Sequence, residues 1–67
     1  MTLGERISDA RHNKGLTQEE LAEKVGISRQ SIYKYEADLT EPRLLIITCI
    51  SDVLGVSIDY LARGRNK

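Results

Sequence analysis

Thr17-Gln18-Glu19-Glu20-Leu21-Ala22-Glu23-Lys24-Val25-Gly26-Ile27-Ser28-Arg29-Gln30-Ser31-Ile32-Tyr33-Lys34-Tyr35-Glu36-Ala37 holds two short helical patterns on either side of one glycine. Thr17, followed three residues later by Glu20, is a capping box that starts a helix. Leu21, Ala22 and Val25 then share one face, and Gly26 stops the segment. Ser28 opens the next helix as its N-cap, with Ile32 and Tyr35 on the inner face. Two helices this short, joined this tightly, must meet at a steep angle. Gly26 permits the left-handed backbone that such a turn requires. Ala22 is small enough for the following helix to cross close above it. Leu21, Val25, Ile27, Ile32 and Tyr35 are expected to pack the joint.

The same signals recur on both sides of this unit. Thr2 and Glu5 form another capping box, and Leu3, Ile7, Ala10 and Arg11 share the face of a first helix that ends at Lys14-Gly15. After a polar loop from Ala37, Pro42 suits the first turn of a fourth helix, where its missing N–H is not needed. That helix is expected to reach Leu54 and end on Gly55. Ser57 caps a last short helix from Ile58 to Arg63, closed by Gly64. The fold class predicted is all-α, five helices forming one domain over residues 1–67. Neither repeats nor linkers interrupt it.

Composition narrows the functional classes. A chain of 67 residues is near the lower limit for a self-sufficient core. Phe and Trp are absent, so the core must be aliphatic. The first residues become charged at once, unlike a secretory signal. The longest apolar run, Leu44 to Ile47, is far too short to span a membrane. A lone Cys49 forms no internal disulfide and fits a reducing cytoplasm, the expected location. One His and one Cys make no structural zinc site. Cys49 and His12 sit on different helices with no carboxylate placed to orient either, so an enzyme is not expected. Neither a cofactor nor a small-molecule ligand is implied.

The formal charge is zero but unevenly spread: +1 over residues 1–34, −4 over residues 35–62 and +3 in the tail of Arg63, Arg65 and Lys67. Electrostatics alone give little support to a nucleic-acid partner.

Three blocks of sequence carry more. Gly15-Leu16-Thr17-Gln18-Glu19-Glu20-Leu21-Ala22, then Val25-Gly26-Ile27-Ser28-Arg29-Gln30-Ser31-Ile32 with Tyr35-Glu36, then Leu54-Gly55-Val56-Ser57-Ile58-Asp59-Tyr60-Leu61, stand in order and at the right spacing. Together they resemble the phage repressor and Cro-type (XRE family) domains. The resemblance implies a compact lambda-repressor-like fold, with a helix-turn-helix over about residues 17–37 formed by helices two and three. It also implies sequence-specific binding of double-stranded DNA through the major groove by a transcription regulator, a repressor that occupies its operator.

Side-chain geometry names the reading residues. At about 100° per residue, Ile32 and Tyr35 face inward, which leaves Arg29, Gln30, Tyr33 and Lys34 outward. Arg pairs two-pronged with guanine and Gln with adenine. Arg29 and Gln30 are therefore expected to contact bases, with Tyr33 and Lys34 at the margin; the plain alternative is a solvated polar face. Gln18 opens the second helix, where exposed N–H groups favour a phosphate, and the resemblance implies that it also touches the recognition helix. Thr17, Ser28 and Ser31 are further phosphate donors, although N-capping alone accounts for Thr17 and Ser28. The resemblance also implies that Arg11 pairs with Glu36. Such a pair is worth under about 1 kcal/mol at the surface and much more if buried.

The loop Ala37-Asp38-Leu39-Thr40-Glu41 departs from the family pattern, which places Asn-Gly and basic residues here to hold the DNA backbone. Arg43 is the nearest basic group left for a phosphate. On the fourth helix, Ile50, Ser51 and Leu54 lie within about 60° of Ile47 as a core stripe. Leu45, Ile46, Cys49 and Val53 fall on the far side. A second apolar stripe suggests a contact surface, so a homodimer through residues of about 42–63 is expected, reading a palindromic site. The rival reading is a protein-interaction module of the same fold, such as an antitoxin or anti-repressor. The polar set Gln18, Arg29 and Gln30 argues against it.

Overall fold

Local capping chemistry sets where the helices begin. A computed structural model describes residues 1–64 and places in them five helices: α1 (Leu3–Asn13), α2 (Gln18–Val25), α3 (Arg29–Glu36), α4 (Leu44–Leu54) and α5 (Ile58–Arg63). Arg65 and Lys67 of the basic tail lie outside the described residues. Thr2 and Thr17 each close a full capping box. The Thr17 hydroxyl accepts the Glu20 N–H at 3.0 Å, while the Glu20 carboxylate accepts the Thr17 N–H at 2.8 Å. Ser28 accepts the Ser31 N–H at 3.1 Å and Ser57 accepts the Tyr60 N–H at 2.9 Å. Four of five helix starts thus rest on a hydroxyl three residues upstream of its donor.

The fourth helix starts differently from expectation. Arg43, not a residue before Pro42, is the N-cap of α4, with extended backbone and no side-chain cap bond. The first bond of the helix runs from the Ile47 N–H to the Arg43 carbonyl at 2.9 Å. Proline's φ fits an extended approach as well as a first turn, so Pro42 permits a helix start without requiring one.

Between α2 and α3, Gly26 adopts φ 87° and its N–H reaches back to the Ala22 carbonyl at 2.8 Å. This left-handed cap ends α2 in one residue and turns the chain into α3.

One side chain from each helix lies wholly out of water: Ile7, Leu21, Ile32, Ile50 and Leu61. Ala10, Ala22, Ile47, Leu54 and Tyr60 complete the buried cluster, with Leu3, Leu16, Val25, Ile27 and Tyr35 packed around it. On α4 the buried stripe is Ile47, Ile50, Ser51 and Leu54. Arg6 donates to the carbonyls of Met1, Leu61 (2.7 Å) and Ala62 (3.1 Å) and so holds the end of α5 against α1. Among the described residues no helix is long and apolar enough to cross a membrane.

Candidate nucleic-acid interface

The two faces of α3 are chemically opposite. Ile32 is fully buried and Tyr35 is packed against the core, which fixes the roll of the helix. Arg29, Gln30, Tyr33 and Lys34 are all exposed. Arg29, Gln30 and Tyr33 border one shallow hollow on this face.

A buried polar network holds the far end of the same helix. Arg11 Nε donates to Glu36 Oε2 at 2.7 Å, and Arg11 Nη2 donates to Glu36 Oε1 at 3.0 Å. The third arm of the guanidinium, Nη1, donates to the Leu16 carbonyl at 2.8 Å. Gln18 Nε2 donates to Glu36 Oε1 at 3.0 Å. The two charged side chains are only 9% and 7% exposed, so this is a desolvated two-pronged pair and not a loose surface contact. It ties the last residue of α3 to α1, to the loop after α1 and to the first residue of α2. The amide of Gln18 is thereby aimed by the carboxylate that closes α3.

The expected phosphate donors gather at the helix starts. Thr17 and Ser28 are exposed N-caps, and Ser31 stands half-buried with its hydroxyl 3.0 Å from that of Ser28. Accepting a cap bond does not consume a hydroxyl proton, so Thr17 keeps its donor, while the Ser28–Ser31 pair spends one of its two hydroxyl protons on itself and keeps the other. Arg43 is exposed at the start of α4. His12 is exposed at the end of α1, with Nδ1 2.8 Å from the Ser8 carbonyl. Among the described residues no three His, Cys, Asp or Glu side chains come together to hold a metal ion.

Two residues that local patterns did not single out complete the frame. Asp38, the residue after the Ala37 C-cap of α3, has φ 58°, the one non-glycine left-handed residue among those described. Its carboxylate accepts the Gly4 N–H at 3.0 Å and the Thr2 hydroxyl at 2.5 Å. An acid at the N-terminus of a helix is favoured by the helix dipole. The acid that the sequence presents as an obstacle to a phosphate is thus tied to α1. Gly4 is the other: a Cβ there would stand 2.6 Å from the Glu36 carbonyl and 2.7 Å from the Asp38 carboxylate. Only a glycine lets the start of α1 abut the end of α3. An Asp just past a helix end is a signal for a left-handed cap; its distant partner is not written nearby.

The four apolar residues expected on the far side of α4 divide. Leu45 is 75% exposed, as is its neighbour Leu44 at 74%. Ile46 and Val53 are packed against the core, and Cys49 is a half-buried free thiol. Leu39, in the loop before α4, is 67% exposed.

The sequence model of the helix-turn-helix family matches residues 7–61. The SPbeta prophage-derived uncharacterized HTH-type transcriptional regulator YonR of Bacillus subtilis is 44% identical over 61 residues, covering 91% of this chain and 56% of that protein. The immunity repressor protein of Bacillus phage phi105 is 36% identical over 61 residues, covering 91% of this chain and 42% of its own length. The chain spans about half the length of the curated relatives it matches. Among solved structures, the P22 c2 repressor protein in complex with a synthetic operator superposes with a TM-score of 0.92 at 34% identity, covering 96% of this chain and 97% of that one.

Proposed function

Because this chain belongs to the helix-turn-helix family, we propose that it is the DNA-binding unit of a sequence-specific transcription regulator, with α3 as its reading helix. The observation that carries this reading is the division of α3. One face is locked by Ile32, Tyr35 and the Glu36 network, and the other offers Arg29, Gln30, Tyr33 and Lys34 to solvent. A rigid helix with hydrogen-bonding groups on one side is what direct readout of a major groove needs.

In this reading Arg29 and Gln30 contact base edges near the start of α3. Gln18, Thr17, Ser28, Ser31 and Arg43 bond phosphates and set the register. Repression follows from occupying a promoter. The relatives named above, a prophage-derived regulator and a phage immunity repressor, support this direction. Two copies related by a two-fold axis would set their reading helices about 34 Å apart, one turn of duplex, on a palindromic operator. The contact surface between the copies is the outer side of α4, where Leu45 is exposed next to Leu44, with Ile46, Cys49 and Val53 beside them.

Selection of binding sites from random duplex DNA tests the proposal. It should return one consensus with two inverted half-sites whose centres are about ten base pairs apart. Failure to enrich any sequence, with no binding even at low salt, would overturn it in favour of a protein-interaction module on this fold.

A further inference from the structure

We propose that the hollow bordered by Arg29, Gln30 and Tyr33 receives the 5-methyl group of a thymine, with the Tyr33 ring as its apolar wall. The inference rests on α3 being the reading helix and goes on to name the base that Tyr33 selects.

Tyr33 stands four residues after Arg29 and three after Gln30, so the three side chains form one stripe along adjacent turns. The structure places all three around a single concavity. Tyr33 is 52% exposed, on a face whose other members are charged or polar. An aromatic surface left half in water there gains if an apolar group covers it. In the major groove, thymine alone offers such a group. Adenine, guanine and cytosine carry no methyl there and are read through the hydrogen-bond donors and acceptors at their edges.

The neighbouring groups supply what the methyl lacks. Arg29 matches the two acceptors of a guanine, and Gln30 matches the donor–acceptor pair of an adenine. Placed together, an apolar wall and two such forks suit a thymine stacked beside a purine. Cytosine in the same place would set only a C5–H against the ring and lose the methyl contact, with a donor where thymine has the O4 acceptor. Tyr33 is therefore a specificity-determining residue and not a marginal one.

The test replaces each thymine in one half of a selected site by deoxyuridine, which removes the methyl and leaves the hydrogen-bonding edge intact. Affinity is then measured at fixed salt. At one position it should fall about fourfold, the equivalent of one buried methyl group. Tyr33→Phe, which keeps the ring, should retain that sensitivity, and Tyr33→Ala should abolish it. Equal affinity for thymine and deoxyuridine at every position, in a protein that still prefers the selected site, would overturn the proposal and leave the reading of α3 standing. A half-site without thymine, or undiminished sensitivity in Tyr33→Ala, would overturn it as well. Absence of binding to any DNA would instead remove the reading on which it rests.

Discussion

At the scale of single residues, the groups that matter most are those whose partners lie far along the chain. Arg11 makes three bonds, two to Glu36 and one to Leu16, in a setting almost closed to water. Replacing it by Met leaves the Glu36 carboxylate buried without its counter-charge. Arg11→Met should therefore lose about 3–5 kcal/mol of stability, read as a large fall in Tm; a melting curve matching the parent would show the pair to be energetically idle. Gly4→Ala is a sharper probe, because helix propensity predicts a gain of up to about 1 kcal/mol and the contact predicts a loss. With a carbonyl oxygen 2.6 Å from the new Cβ, the loss should win, by about 1–3 kcal/mol. The hydroxyl caps were legible in the sequence because the donor is three residues away. Gly4 and Asp38 were not, since their contacts span 34 to 36 residues and no local pattern encodes them. Arg6 was silent for the same reason, its carbonyl partners on α5 being 55 and 56 residues distant.

At the scale of elements, periodicity and punctuation were enough for five helices and for the buried stripe of α4. The start of α4 was the exception. Pro42 satisfies the chemistry of a first turn, but nothing in the sequence forces the helix to begin there, and Arg43 takes the cap position instead. An arginine there supplies no side-chain cap and sets a positive charge at the positive end of the helix dipole. Arg43→Ser should then raise stability by about 1 kcal/mol. If Arg43 also grips a phosphate, the same substitution should weaken binding to all DNA sequences alike and lower the salt dependence. Opposite changes in melting temperature and affinity would locate a functional constraint on this residue. The division of the outer α4 residues was equally hidden: a helical wheel places Leu45, Ile46, Cys49 and Val53 on one side, but the neighbours that cover Ile46 and Val53 belong to the tertiary packing.

At the scale of the whole molecule, five helices each give one fully buried aliphatic side chain to a shared core. Short polar networks then fix the ends of the elements that the core alone leaves adjustable. The Arg11–Glu36–Gln18 cluster and the Asp38–Thr2–Gly4 contacts both act at the C-terminal end of α3, so the pose of this helix is set from two sides. The exposed leucines of α4 raise the question of assembly. Sedimentation should show a dimer that Leu45→Glu weakens, while the melting temperature at dilutions where both proteins are monomeric stays the same, because Leu45 is three-quarters exposed in the single domain. A monomer at high concentration would remove the two-fold arrangement and leave each domain to bind alone.

Whether the outward face of α3 reads DNA sequence is decided by base preference in the Arg29→Ala and Gln30→Ala variants. Each protein is titrated, at one salt concentration, against the selected site and against every single-base change within a half-site. Each variant should lose discrimination of about 1–3 kcal/mol at one base pair and keep it elsewhere, with a guanine affected by Arg29 and an adenine by Gln30. Unchanged sequence preference in both variants would contradict such readout.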